Sequence, residues 1–154
     1  MQYQLITHSA EETMDLGQKF VALIQPGSTF CLTGDLGAGK TTLVRGMAKA
    51  LNIKSVVQSP TFNIMKVYFD GARPLIHIDA YRLADLNTDI GLDEYIGYET
   101  GITVIEWPEF IKDLIPENAI EVNIKHVKDN ERNITVTSDD NAFLEALKKW
   151  LLSY

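Results

Sequence analysis

The most explicit chemistry in this chain lies in Gly34-Asp35-Leu36-Gly37-Ala38-Gly39-Lys40-Thr41. This run fits the pattern G-x-x-x-x-G-K-[ST] in full. Glycines let the backbone wrap round an anion so that successive N–H groups converge on it. A helix opening after the loop adds its positive N-terminal end. Lys40, expected at the surface of the loop, can reach terminal phosphates, and the Thr41 hydroxyl can ligate the magnesium that accompanies them. Such a loop specifies a nucleotide but no reaction.

Three further positions narrow the chemistry. Asp79 ends the apolar run Leu75-Ile76-His77-Ile78, and Glu106 ends Ile102-Thr103-Val104-Ile105. In open α/β sheets ligands sit beyond the carboxyl ends of the strands, which would bring both acids near a bound triphosphate. One acid can hold magnesium while the other orients or deprotonates an attacking water, and spacing alone does not say which does which. The plainer readings are a local cap or an ion pair with Arg82 for Asp79, and a cap for a helix at Pro108 for Glu106. Thr61, in Ser59-Pro60-Thr61-Phe62, can offer a hydroxyl to a γ-phosphate as switch threonines do, or can be an ordinary strand residue.

The elements that must carry these groups follow from local signals. Tyr3 to Thr7 reads as a short strand. Ser9 and Glu12 form a capping box, each side chain reaching the other's backbone N–H, for a helix running to about Ile24. Ser28 to Thr33 reads as a buried strand leading into the loop, and Leu43, Val44, Met47, Ala48 and Leu51 fall at helical spacing after it. Thr61–Phe69 and Pro74–Asp79 flank Asp70-Gly71, a hairpin signal. Short helical pieces are expected between Arg82 and Tyr98, and a strand over Ile102–Glu106. A second hairpin joins Ala119–His126 to Asn133–Thr137, and Asp139 or Asp140 caps a last helix bearing Phe143, Leu144, Leu147, Trp150 and Leu151. Helices on a mixed parallel and antiparallel sheet make an α/β fold, three-layered and of the P-loop NTPase type. His77 and Cys31, inside apolar strands, read as satisfied core residues, and the Trp150 helix as core. Trp107 reads equally as a buried anchor or as a partner contact.

Composition bounds the rest. The 154 residues are 45% hydrophobic and 23% charged, with one cysteine and no repeat, which fits one globular domain and excludes a disulfide framework. Lys plus Arg number 14 against 21 for Asp plus Glu, a net charge of −7, so a stand-alone nucleic-acid binder is disfavoured. The N-terminus has neither a basic start nor an apolar stretch, so no signal peptide, no membrane span and a cytoplasmic location are expected. No Asn-Lys-x-Asp guanine-reading motif is present, leaving adenine as the base by default. The four arginines, Arg45, Arg73, Arg82 and Arg132, are scattered, and none has an evident claim to transition-state charge. Slow hydrolysis of ATP, with a partner completing the site, is the expectation. A P-loop small-molecule kinase and a non-hydrolysing ATP sensor are the alternatives.

Taken together, the phosphate loop, Ser59-Pro60-Thr61-Phe62, Asp79-Ala80-Tyr81-Arg82-Leu83 and Glu106-Trp107-Pro108 resemble the TsaE (YjeE) family. That resemblance covers nearly the whole chain and implies the ATPase of bacterial tRNA threonylcarbamoyladenosine biosynthesis. It implies ATP and Mg2+ as ligands, a Kae1/TsaD-type transferase and a TsaB-type scaffold as partners, and tRNA contacted indirectly through that complex. By family pattern Thr41 and Glu106 would be magnesium ligands and Asp79 would activate water. Asp35, Gly37, Ala38, Gly39, Lys40, Thr41 and Thr42 would enclose the phosphates, with Lys40 and Thr61 beside the γ-phosphate. Glu109 and Arg132 align with positions that approach the nucleotide. Phe62 stands where many relatives have tyrosine.

Overall fold

The computed structural model describes residues 1–35, 37–58, 60, 64–81, 83 and 91–154. Seven strands form one sheet: β1 (Gln2–Thr7), β2 (Thr29–Thr33), β3 (Met65–Tyr68), β4 (Leu75–Asp79), β5 (Ile102–Glu106), β6 (Ile120–Lys128) and β7 (Glu131–Thr137). Their spatial order is β1-β7-β6-β2-β5-β4-β3. The four central strands β6, β2, β5 and β4 run parallel, and antiparallel partners close both edges. Parallel strands covered on both faces require unbroken apolar runs. That is the composition of β2, β4 and β5, each buried along nearly its whole length.

Three helices, α1 (Ala10–Leu23), α2 (Lys40–Ala50) and α3 (Asn141–Ser153), cover one face of the sheet. Phe20 on α1 stacks on Phe30 of β2 at 5.4 Å and meets Phe143 of α3 at 6.0 Å. Two glycines set the approach of α1 to α2. A Cβ on Gly46 would lie 2.1 Å from the Met14 carbonyl oxygen, and one on Gly17 would lie 2.3 Å from that of Leu43. On the other face a smaller apolar cluster (Ile76, Ile78, Leu92, Ile105 and Ile111 among its members) lies under 3-10 turns at Leu92–Glu94 and Pro108–Leu114.

Most expected elements are present, with instructive shifts. Ser9 caps α1 by accepting from Glu12 N–H at 3.1 Å, but the reciprocal bond moves by one residue. The Glu12 carboxylate accepts from His8 N–H at 2.6 Å instead of from Ser9, because the chain entering the helix presents the earlier amide. Strand β3 starts at Met65, later than the expected Thr61, and residues 61–63 lie outside the described residues, as do Ser59 and Arg82. The Asp70 turn is held from outside: its carboxylate accepts from the N–H groups of Lys54 and Ser55, both at 3.0 Å. The second hairpin is tighter than expected, its strands running on to Lys128 and back from Glu131, with Asp129 left-handed at φ 47°. Asp140 is the cap of α3, accepting from Phe143 N–H at 3.1 Å. Trp150 packs against the core.

The glycine contact fixes where α2 begins relative to the sheet. Gly46→Ala is expected to destabilise the protein by about 1–3 kcal/mol through overpacking against the Met14 carbonyl. Urea unfolding checks this, and an unchanged midpoint would mean that the helices can part without penalty.

Candidate functional site

The phosphate loop joins the carboxyl end of β2 to the start of α2. Gly34, Gly37 and Gly39 have φ values of 148°, 80° and 113°, and Gly39 is the N-cap of α2 with no side-chain cap. A Cβ on Gly34 would meet the Ile124 carbonyl oxygen at 2.4 Å, so the loop passes close over β6. Its turn is closed by Ala38 N–H donating to the Asp35 carbonyl at 3.0 Å. Asp35 and Gly37 are exposed, Ala38 is buried, and Thr41 and Thr42 in the first turn of α2 are half-buried.

Lys40 is not at the surface of the loop, contrary to the sequence expectation. Only 8% of it is exposed. Its Nζ donates to the Gly34 carbonyl at 2.7 Å, lies 3.7 Å from Glu106 Oε1 and sits 4.8 Å from the centre of the Trp107 ring. The helix start places the ammonium directly above the ends of the central strands, and three acceptors there draw it inward.

The two strand-end acids share one face. In the parallel pairing of β4 with β5, Asp79 is opposite Glu106 and His77 is opposite Val104. A period of two therefore puts Leu75, His77 and Asp79 on the helix side, together with Ile102, Val104 and Glu106. Glu106 is 3% exposed and its Oε2 lies 2.7 Å from Nε2 of the fully buried His77. Asp79 Oδ1 accepts from Tyr81 N–H at 3.1 Å, so the local-cap reading of Asp79 holds at one oxygen. Glu106 is no cap for the turn at Pro108: that turn starts at Trp107, with no side-chain cap. His77 is a core residue, as expected, yet an incompletely satisfied one: its Nδ1 has no partner among the described residues.

Trp107 is the residue whose role the sequence left open, and the structure makes it a half-buried anchor. It adopts left-handed dihedrals, φ 57° and ψ 53°, a conformation costing about 1–2 kcal/mol outside glycine. Its ring meets Tyr81 at 5.1 Å and Phe110 at 6.4 Å while covering Lys40. No sequence signal marks this backbone state. Arg132, at the start of β7, donates from Nε to the Ala38 carbonyl at 2.8 Å and from Nη1 to the carbonyls of Asp129 and Glu131. The β6–β7 hairpin is thereby tied to the phosphate loop. Beside it, a small cleft of about 50 Å³ is lined by Ser9, Ala10, Thr13, Gly39, Thr42, Asn130 and Arg132.

Residues 7–134 match the family model described as "Threonylcarbamoyl adenosine biosynthesis protein TsaE". The chain belongs to the TsaE family. It is 42% identical over 137 residues to the tRNA threonylcarbamoyladenosine biosynthesis protein TsaE of Bacillus subtilis (strain 168), covering 89% of this chain and 86% of that one. The protein of the same name from Treponema pallidum (strain Nichols) is 40% identical over 133 residues, 85% of this chain and 97% of the relative. A crystal structure of Bacillus subtilis YdiB superposes with a TM-score of 0.80 at 36% identity, covering 97% of this chain and 95% of that chain.

Within this TsaE-family fold the residues expected at the site are distributed unevenly. Lys40, Glu106, Asp79 and the loop from Asp35 to Thr42 converge at the ends of β2, β4 and β5. Arg132 reaches the loop. Thr61 lies outside the described residues, as does Leu36. Glu109 lines a groove of about 690 Å³ on the sheet face opposite the helices, with Gln4, Cys31, Lys112, Glu121 and Asn123 among its walls and none of the described phosphate-loop residues. Burial, and then the Glu121 charge, push the Cys31 thiol up to about 12.

A magnesium ion fits the donors present. Magnesium keeps several waters and takes one or two carboxylates plus substrate phosphates rather than a full protein cage. The described residues hold no group of three or more His, Cys, Asp or Glu that would form such a cage. The hydroxyl of Thr41, in the first turn of α2, and the carboxylate of Glu106, at the end of β5, are hard oxygen donors.

Lys40→Ala is expected to destabilise the nucleotide-free protein by about 1–3 kcal/mol, because Glu106 loses the ammonium 3.7 Å away while remaining buried. An unchanged denaturation midpoint would show that the pair carries no weight without ligand. Cys31 is expected to react with iodoacetamide at pH 8 roughly a hundredfold or more slowly than a free thiol, and readily after unfolding. Native labelling at the free-thiol rate would place its sulfur in water.

Proposed function

We propose that this chain is a magnesium-dependent ATPase that serves tRNA threonylcarbamoyladenosine biosynthesis together with a TsaD-type transferase and a TsaB-type scaffold. Family membership supports the pathway. One observation supports the activity: a buried carboxylate, Glu106, is held at the mouth of the phosphate loop, 3.7 Å from the loop lysine, with Asp79 opposite it on the next strand. A loop that only recognised phosphate would have no need for two acids beside it, since they repel the anion.

Backbone amides from Gly37 to Thr42 hold the phosphates at the start of α2. Lys40 turns its ammonium from the Gly34 carbonyl to the terminal phosphates, a more strongly charged acceptor. Thr41 and Glu106 would hold the magnesium, which when bound offsets charge on the phosphate oxygens. Asp79 accepts the proton of the attacking water. In this reading tRNA is met only through the partners, in keeping with a net charge of −7.

Phosphate release from ATP by the protein alone, with each partner and with both, tests this reading. Slow release alone, rising at least about tenfold with both partners, is the expected result. Asp79→Ala should bind ATP within about threefold of the parent and hydrolyse it at least about a hundredfold more slowly. ATP bound but never hydrolysed with both partners present would overturn the reading in favour of a sensor. Consumption of ATP only with a small phosphoryl acceptor would overturn it in favour of a kinase.

A further inference from the structure

His77 is buried, able to hydrogen bond through both ring nitrogens, and unused by the steps above. It stands in the middle of β4 with no exposed surface, and Nε2 lies 2.7 Å from Glu106 Oε2. Among the described residues Nδ1 has no partner. A polar atom buried without a partner costs about 1–3 kcal/mol, so an apolar residue would serve the core better. The bond to Glu106 is what the histidine provides that a leucine cannot.

The two nitrogens are unequal, and the geometry decides between the tautomers. With its hydrogen on Nε2, the neutral ring donates to the carboxylate and leaves only an acceptor, Nδ1, bare. The other tautomer would turn a lone pair toward the carboxylate oxygen and strand a buried N–H. Held in this way, Oε2 is fixed on the strand side, and Oε1 is turned toward the loop, 3.7 Å from Lys40 Nζ.

We propose that His77 is a positioning residue: its Nε2–H pins one oxygen of Glu106 so that the other faces the phosphate loop in the orientation a nucleotide-bound magnesium needs. The proposal rests on the ATPase reading for the metal, while the His77–Glu106 bond stands independently of it. Groups that orient a ligating carboxylate typically change metal affinity by 10–100-fold when removed.

The test uses the full chain, with ATP binding measured by calorimetry in magnesium and in EDTA, and the imidazole tautomer read by 15N NMR. The wild-type spectrum should show His77 protonated on Nε2; an Nδ1–H ring would overturn the proposal. In His77→Leu the gain in ATP affinity conferred by magnesium should fall about tenfold or more, with affinity in EDTA within about twofold of wild type. His77→Gln, whose amide nitrogen extends to nearly the same place as Nε2, should recover most of that gain. Equal losses with and without magnesium, or no recovery with glutamine, would make His77 a packing residue and overturn the proposal. Should the leucine variant fail to fold, the glutamine variant and the wild-type tautomer still decide it. A wild type that binds ATP equally with and without magnesium would sink the metal reading itself, and the tautomer would then report on the His77–Glu106 bond alone.

Discussion

A carboxylate on a side chain only 5% exposed must be compensated, or it takes up a proton or pulls the structure open, and Glu106 imposes that constraint on everything around it. Among the described residues a strand neighbour, His77, and a helix start, Lys40, compensate it. Both can be present only if β4 lies parallel beside β5 and α2 begins directly above their ends. The aligned central sheet and the glycine contact between α1 and α2 supply those two conditions. In the free protein Lys40 therefore does double duty. It satisfies Glu106 and the Gly34 carbonyl until a more strongly charged acceptor draws it away.

The same economy runs through the loop. The loop's amide at Ala38 closes its own turn on the Asp35 carbonyl, and side chains hold two more of its carbonyls. Lys40 takes that of Gly34 and Arg132 that of Ala38. Arg132 comes from a hairpin far along the chain, and its Nε and Nη1 donate to backbone oxygens. That engagement bears on rate: an arginine anchoring the loop is poorly placed to neutralise transition-state charge as well. Trp107 completes the arrangement, since its left-handed backbone brings an indole over the Lys40 ammonium. Backbone strain of this kind tends to concentrate where function needs a side chain aimed against its preference.

Beyond the site, the sheet has two unlike halves. On the face opposite the helices, 3-10 turns cover the β3, β4 and β5 half, whereas the half formed by β6, β7 and β1 is faced by Gln, Asn and Thr side chains and opens as a groove. Alternation along β2 explains how one strand serves both environments. Phe30 and Leu32 go to the helix core, and Cys31 and Thr33 go to the groove wall. Among the described residues no helix is long and apolar enough to cross a membrane.

Local signals in the chain were enough for the phosphate loop, the strand ends at Asp79 and Glu106, both hairpins and the mixed sheet, and they narrowed the cap of the last helix to Asp139 or Asp140. Each rests on neighbours in sequence, such as a glycine pattern, an apolar run or a capping side chain. What local signals misjudged shares one physical cause. The burial of Lys40, the lack of a partner for His77 Nδ1 among the described residues, the Glu12 bond to His8 and the left-handed Trp107 depend on groups brought near by packing. Sequence by itself therefore determined which groups exist and which face each takes, because strand and helix periods are local properties. Only the tertiary structure decided which of those groups touch, because strand order, helix approach and burial are set by the whole sheet at once.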